Sequence, residues 1–149
     1  MGKEIRVASR QKEKASILRG IPKNLPSLVL AYRLSQKASQ KGFDWPDLSG
    51  VLKKMDEELS EFRDALSLRN RRRIAEELGD LLFVLVNVGR FLGIDPEKAL
   101  KGTLKKFSDR FHFIEDSLRQ AGKSVRQSNL IEMDRLWEEA KRRKRIRSK

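Results

Sequence analysis

The sequence has no cysteine, which excludes a disulfide framework and any thiolate metal site. Its only histidine, His112, lies between Phe111 and Phe113 and reads as structural or surface rather than catalytic. Long apolar runs are missing too. The longest, Leu81 to Ile94, is broken by Asn87 and Arg90 and is shorter than a bilayer span. Lys3, Arg6 and Arg10 are followed by no apolar stretch, so no secretory leader is expected. No alternating strand pattern and no internal repeat occurs. These absences leave an all-α protein, not membrane-associated, with a composition compatible with the cytoplasm. Its 149 residues suit one domain with a modest core.

Charge of one sign is abundant, and its location matters more than its total. The formal net charge is +13. Residues 141–149 carry seven basic residues and no acid, and residues 1–20 carry six basic and two acidic residues. That leaves about +2 for residues 21–140, so the folded body is near neutral. The expected division is a polar, flexible segment 1–20, a helical domain 21–140 and a solvated basic tail 141–149. The tail could engage nucleic acid electrostatically.

Helical periodicity accounts for the body. Ile21-Pro22 and Leu25-Pro26 mark an extended lead-in, because a proline disfavours helix at the residue before it. A first helix is predicted from Ser27 to about Lys41, with Leu28, Ala31, Tyr32 or Leu34, and Ala38 inward, stopped by Gly42. Phe43 and Trp45, in the loop that follows, either seal one end of the core or contact a ligand. The second helix is predicted over 48–67, with Val51, Leu52, Met55, Leu59, Phe62, Ala65 and Leu66 buried and Lys54, Glu58 and Glu61 on an adjoining strip. The third runs from near Asn70 to Leu92 and is apolar almost all round after Asp80, which a small bundle does not easily cover; a homodimer or higher oligomer is therefore expected. Asp95 caps a fourth helix that opens on Pro96 and runs to about Gln120, burying Ala99, Leu100, Thr103, Phe107, Phe111, Ile114 and Leu118. A last helix starts near Ser128 or Asn129, carries Leu130, Met133, Leu136, Trp137 and Ala140 inward, and frays into the basic run. The architecture is an antiparallel bundle of about four core helices plus a C-terminal helix.

The chemistry concentrates between Asp56 and Asp80. Glu58 and Glu61 are three residues apart on one helix, and Glu77 and Asp80 repeat that spacing on the next. Each pair shares a face one turn apart. The short break through Leu66–Asn70 folds the helices back on each other, so four carboxylates converge. Crowded like charges are costly unless a cation sits among them. An all-oxygen ligand set points to a hard ion, Mg²⁺ first and Mn²⁺ second. The bland counterpart is an interhelical salt-bridge network using Arg71, Arg72 and Arg73. Arg73, Glu77, Asp80, Val84 and Asn87 recur at spacings of four, three, four and three, one continuous strip that carries a cation before the acids and an amide after them.

Glu57-Glu58-x-x-Glu61 followed by Glu77-x-x-Asp80 resembles the EExxE…ExxD signature of the MazG-type, all-α nucleoside triphosphate pyrophosphohydrolases. Gly20-Ile21-Pro22 with Leu25-Pro26, Gly42-Phe43-Asp44-Trp45-Pro46, Glu77-Leu78-Gly79-Asp80-Leu81-Leu82-Phe83, Lys106-Phe107 with Arg110-Phe111, and Met133 with Leu136-Trp137 extend the likeness to the second, catalytic half of two-domain MazG, over roughly residues 16–142. One such domain is present, and position 104 is Leu where some relatives place Asn. The resemblance implies Mg²⁺-dependent hydrolysis of a nucleoside triphosphate to monophosphate and pyrophosphate, clearing unwanted nucleotides. It further implies that Glu58, Glu61, Glu77 and Asp80 are metal ligands, that Lys106, Arg110 and Arg73 hold the phosphate chain, and that Trp137 packs near the base. Glu57 or a ligand carboxylate would take the proton from water; Glu57 faces about 100° from Glu58, which favours a supporting or surface role for it. Asn87 either hydrogen-bonds sugar or base or satisfies its amide against a neighbouring helix. The alternative to an enzyme is a non-catalytic helical oligomer whose basic ends bind nucleic acid.

Overall fold

The computed structural model describes residues 16–147, with side chains as far as Lys144, so the expected flexible start lies outside the described residues up to position 15. All regular structure in that range is helical: α1 (Ser27–Ser39), α2 (Leu48–Ser67), α3 (Arg71–Phe91), α4 (Pro96–Gln120), a 3₁₀ turn (Val125–Gln127) and α5 (Leu130–Arg147). The chain forms two compact units, Met1–Glu97 and Lys98–Lys149.

In the first unit α3 packs on both α2 and α1. The helix ends follow from local chemistry. Asp47 Oδ1 accepts the Gly50 N–H at 2.9 Å and Asn70 Oδ1 accepts the Arg73 N–H at 3.1 Å, satisfying orphan donors at the starts of α2 and α3. The α2–α3 connection is only Leu68, Arg69 and Asn70, with Arg69 in the left-handed region at φ 52°. At the other end of α3, Gly93 takes φ 67°, and the Ile94 N–H donates to the Gly89 carbonyl at 2.8 Å, a Schellman closure. Residues 16–20 form a turn with the Arg19 N–H on the Ser16 carbonyl.

The buried line of α2 is Val51, Met55, Glu58, Phe62 and Ala65, spaced four, three, four and three, with Val51, Glu58 and Ala65 the most enclosed. Leu52 and Leu66, expected in the core, are exposed. Each sits about 100° round the helix from a buried position, and α3 covers only one stripe of α2. A carboxylate thus occupies the centre of the α2 core line.

In the second unit the C-terminal half of α4 packs on α5. Ile114, Leu118 and Leu136 form the core, with Phe111, Phe113, Val125, Met133 and Trp137 against it. Asp95 Oδ1 accepts the Glu97 N–H at 2.9 Å, capping α4 as expected. The first half of α4 differs from expectation: Ala99, Leu100, Thr103 and Phe107 are exposed, and so is Leu130. Periodicity marked an apolar face there, but α5 reaches back only to Phe107, whose ring stands 5.5 Å from that of Trp137 and stays half-exposed. The basic run continues α5 to Arg147 rather than fraying at Lys141. Lys141 and Arg143 each pair with an acid one turn back, Glu138 and Glu139, at 2.7 Å.

Candidate active site

Oxygens of Glu58 on α2 and of Glu77 and Asp80 on α3 all lie within 4.8 Å of one another. The short hairpin makes this meeting: Glu58 is on the buried line of α2, and Glu77, Val84 and Asn87 follow one another on the more buried line of α3. Glu58 is the most enclosed of the trio, 6% exposed, whereas Asp80 opens to solvent. Glu61 stands one turn beyond Glu58, exposed and outside the trio.

The cations around the acids are few and badly matched to the charge they face. Lys54 Nζ lies 2.6 Å from Glu58 Oε1 and 3.7 Å from Glu57 Oε2. The hydrogen bond to Glu58 holds the Lys54 ammonium above the usual lysine range; burial opposes this, and the charges of Glu58, Glu61 and Glu57 add to it. Arg73 Nε reaches Glu77 Oε1 only at 3.4 Å. Glu58 Oε2 is buried with no hydrogen-bond partner among the described residues. An unpartnered buried carboxylate oxygen is expensive, and two further carboxylates beside it make the spot attractive to a cation. The donor set, all oxygen, fits a hard divalent ion. The salt-bridge alternative is not what these contacts build, since Arg72 and Arg73 reach Glu76 and Glu77 of their own helix.

Farther along α3 the same strip borders a cavity of about 400 Å³ lined by α1, the loop after it and α3. Asn87 is 0% exposed. Its Nδ2 donates to the Phe83 carbonyl at 3.1 Å, and its Oδ1 accepts from Arg90 Nε and Nη2 at 3.2 and 3.0 Å. Arg90 in turn donates from Nη1 and Nη2 to Asp44 Oδ2 and Oδ1 at 2.9 and 2.6 Å. The amide is therefore satisfied within its own helix and by Arg90. Phe43, 84% exposed, and Trp45, half-buried, both line the cavity. The Asp44–Arg90 clamp escaped the sequence reading. The signal for it was an arginine three residues after Asn87, inside the most apolar stretch of the chain.

Lys106, Arg110 and Trp137 belong to the second unit. Lys106 is exposed, whereas Arg110 lies with its guanidinium carbon 5.2 Å from the centre of the Trp137 ring. Phe107 packs on the same indole at 5.5 Å. Arg110 Nε is buried without a hydrogen-bond partner among the described residues. Trp137 thus holds Arg110 from one side.

Helices alone, hinged as a tight hairpin around an acidic trio with an unpartnered oxygen, define an all-α protein with a site fit for a hard cation. Comparison with known proteins gives this class a family. Residues 47–112 match the MazG nucleotide pyrophosphohydrolase domain, so the chain carries a domain of the MazG family. It is 39% identical over 138 residues to the nucleoside triphosphate pyrophosphohydrolase/pyrophosphatase MazG of Thermotoga maritima, covering 93% of this chain and 53% of that protein. It is 34% identical over 134 residues to the nucleoside triphosphate pyrophosphohydrolase of Escherichia coli, covering 89% and 51%. The uncharacterized protein YabN of Bacillus subtilis is 40% identical over 143 residues, covering 95% of this chain and 29% of YabN. The chain spans about half the length of the first two relatives. No helix among the described residues is long and apolar enough to cross a membrane.

Proposed function

We propose that this chain hydrolyses nucleoside triphosphates to nucleoside monophosphate and pyrophosphate with a divalent ion, Mg²⁺ first and Mn²⁺ second, as a cytoplasmic enzyme that clears unwanted nucleotides. The observation that carries the reading is the convergence of Glu58, Glu77 and Asp80 with an unpartnered oxygen among them. Glu58, Glu77 and Asp80 would hold the ion, with Glu61 joining from the next turn of α2. When bound, the ion supplies Lewis acidity at phosphorus and offsets the charge of the phosphate chain.

The remaining work falls to side chains of this chain. Lys54 and Arg73, which now lean on Glu58 and Glu77, are free to turn to phosphate oxygens once those acids are otherwise engaged. Lys106 and Arg110, at i and i+4 on α4, add cations for developing charge. Trp137, which holds Arg110, packs near the base. Glu57, on the outer side of Lys54, or a ligand carboxylate takes the proton of the attacking water. Asn87 acts through Arg90.

The working form is a homodimer or higher oligomer, supported by the bare apolar side chains of α3. The alternative, a non-catalytic oligomer binding nucleic acid, rests on the charge of the chain ends alone.

Purified protein with Mg²⁺ is expected to release pyrophosphate from at least one canonical or modified triphosphate. Glu61→Gln and Asp80→Asn are expected to abolish this while the far-ultraviolet dichroism stays native. Wild-type turnover in both variants would remove the metal role.

A further inference from the structure

Glu58 and Glu77 each have a cation one turn earlier on their own helix, Lys54 and Arg73, and the two contacts are unequal. Lys54 Nζ stands 2.6 Å from Glu58 Oε1, whereas Arg73 Nε stands 3.4 Å from Glu77 Oε1. We propose, resting on the metal role above, that Lys54 sets which ion the acidic trio accepts. By holding one oxygen of Glu58 it leaves that carboxylate a single oxygen for metal, which favours Mg²⁺ over Ca²⁺.

Enclosure fixes the split. The Glu58 side chain is only 8% exposed and sits between Met55 and Phe62 on the buried line of α2. Its Oε1 is taken by the ammonium at a distance typical of a short, charge-assisted bond. Its Oε2 is buried and has no partner among the described residues. One oxygen therefore belongs to Lys54 and the other to whatever joins the trio. Glu57 Oε2, 3.7 Å from the same Nζ, steadies the ammonium from its outer side. An ammonium has three N–H donors, so turning one to a phosphate oxygen leaves another for Oε1.

The two hard ions ask for different things. Mg²⁺ takes about six single oxygens in a near-ideal octahedron and keeps several of them as water. Ca²⁺ takes about six to eight and readily accepts both oxygens of one carboxylate. A Glu58 with one oxygen to give meets the first demand and starves the second. Charge by itself does not make this choice, because both ions are divalent and the ammonium repels them alike. Lys54 is thus a positioning residue that acts through Glu58.

Calorimetric titration of the full chain with magnesium chloride and with calcium chloride, without nucleotide, reads both affinities and their ratio. Lys54→Met keeps an unbranched side chain on the helix and frees Oε1. Both ions are expected to bind this variant more tightly, because a positive charge has gone. Ca²⁺ should gain about tenfold more than Mg²⁺, the worth of roughly one further ligand oxygen. Lys54→Arg should return the wild-type ratio. Arg73→Met removes a like charge from the longer contact, and should tighten both ions with their ratio held within about threefold. Should Lys54→Met unfold without metal, the comparison is read from the Mg²⁺ and Ca²⁺ concentrations that restore helical dichroism, since the tighter ion restores the fold first. A ratio unmoved in Lys54→Met, or moved as far in Arg73→Met, overturns the role of Lys54 and leaves the ion site standing. A wild type that binds neither ion overturns the ion site itself, and the role of Lys54 falls with it.

Discussion

Glu58 is the residue at which stability and chemistry oppose each other. It fills a core position on α2, 6% exposed, where the helix line otherwise carries Val51, Met55, Phe62 and Ala65. One oxygen leans on Lys54 and the other has no partner among the described residues. Replacing a poorly satisfied buried charge with an apolar side chain of similar volume is stabilising more often than not. Glu58→Met is expected to stabilise the metal-free protein by about 1–2 kcal/mol and to lose the rise in melting temperature that Mg²⁺ gives the wild type. Thermal melts in chelator and in Mg²⁺ check both halves. Asp44 makes the complementary case, a charge that is well satisfied. Hydrogen bonds from Arg90 hold its carboxyl below the usual aspartate range; burial opposes this, and the Arg90 charge and the Trp45 N–H add to it. A carboxyl lowered on folding contributes stability above its unfolded pKa and loses it as pH falls through the folded value. The stability gap between wild type and Asp44→Asn is therefore expected to hold steady from neutrality to about pH 5 and to close only below about pH 4. A gap that closes near pH 6 would mean the clamp is not formed.

At the scale of elements, the C-terminal end of α3 and the second turn of α4 test what helix glycines are for. A Cβ on Gly89 would stand 3.0 Å from the Ile94 carbonyl, the group that follows the Schellman closure, so Gly89→Ala is expected to cost about 1 kcal/mol. Gly102 lies inside α4 with nothing within 4 Å, so Gly102→Ala is expected to add about 0.5–1 kcal/mol. Denaturant unfolding of the two variants should move in opposite directions. These elements also show why the fold was largely readable and the packing was not. Leu48–Ser67 and the Asp95-Pro96 start were legible because caps and prolines act within a few residues. Leu52, Leu66 and Phe107 were misassigned because periodicity tells that a stripe is apolar, not which neighbour covers it. Glu58, Glu77 and Asp80 were legible through spacing, while the inward turn of Glu58 needed the angle between α2 and α3. The Asp44–Arg90 pair bridges 46 positions, a distance no local pattern carries.

At the scale of the whole molecule, α3 carries two faces with different demands. Glu77, Asp80, Val84 and Asn87 form one, which carries two of the acids and borders the cavity beside α1. Leu78, Leu82, Leu85, Gly89 and Leu92 form the other, at spacings of four, three, four and three. Leu82 is 50% exposed, and Leu78, Leu85 and Leu92 are exposed with it. A leucine stripe of this length at full helical register is rarely left in water. Its regular spacing is what lets a second helix lay its own side chains between these, and the same stripe on another copy is the self-complementary solution. A stable pair of this kind buries on the order of 1,600 Å² in all, and central apolar side chains carry most of its free energy. Leu82→Glu is therefore expected to weaken self-association by about thirtyfold or more, converting a dimer into a monomer in sedimentation velocity at micromolar concentration. Helical dichroism should survive, because Leu82 is not among the buried residues that join α3 to α2. A wild-type chain that sediments as a monomer would leave this stripe without an owner. A Leu82→Glu dimer would move the interface to the other bare apolar residues, Leu100, Leu104 and Phe107 of α4.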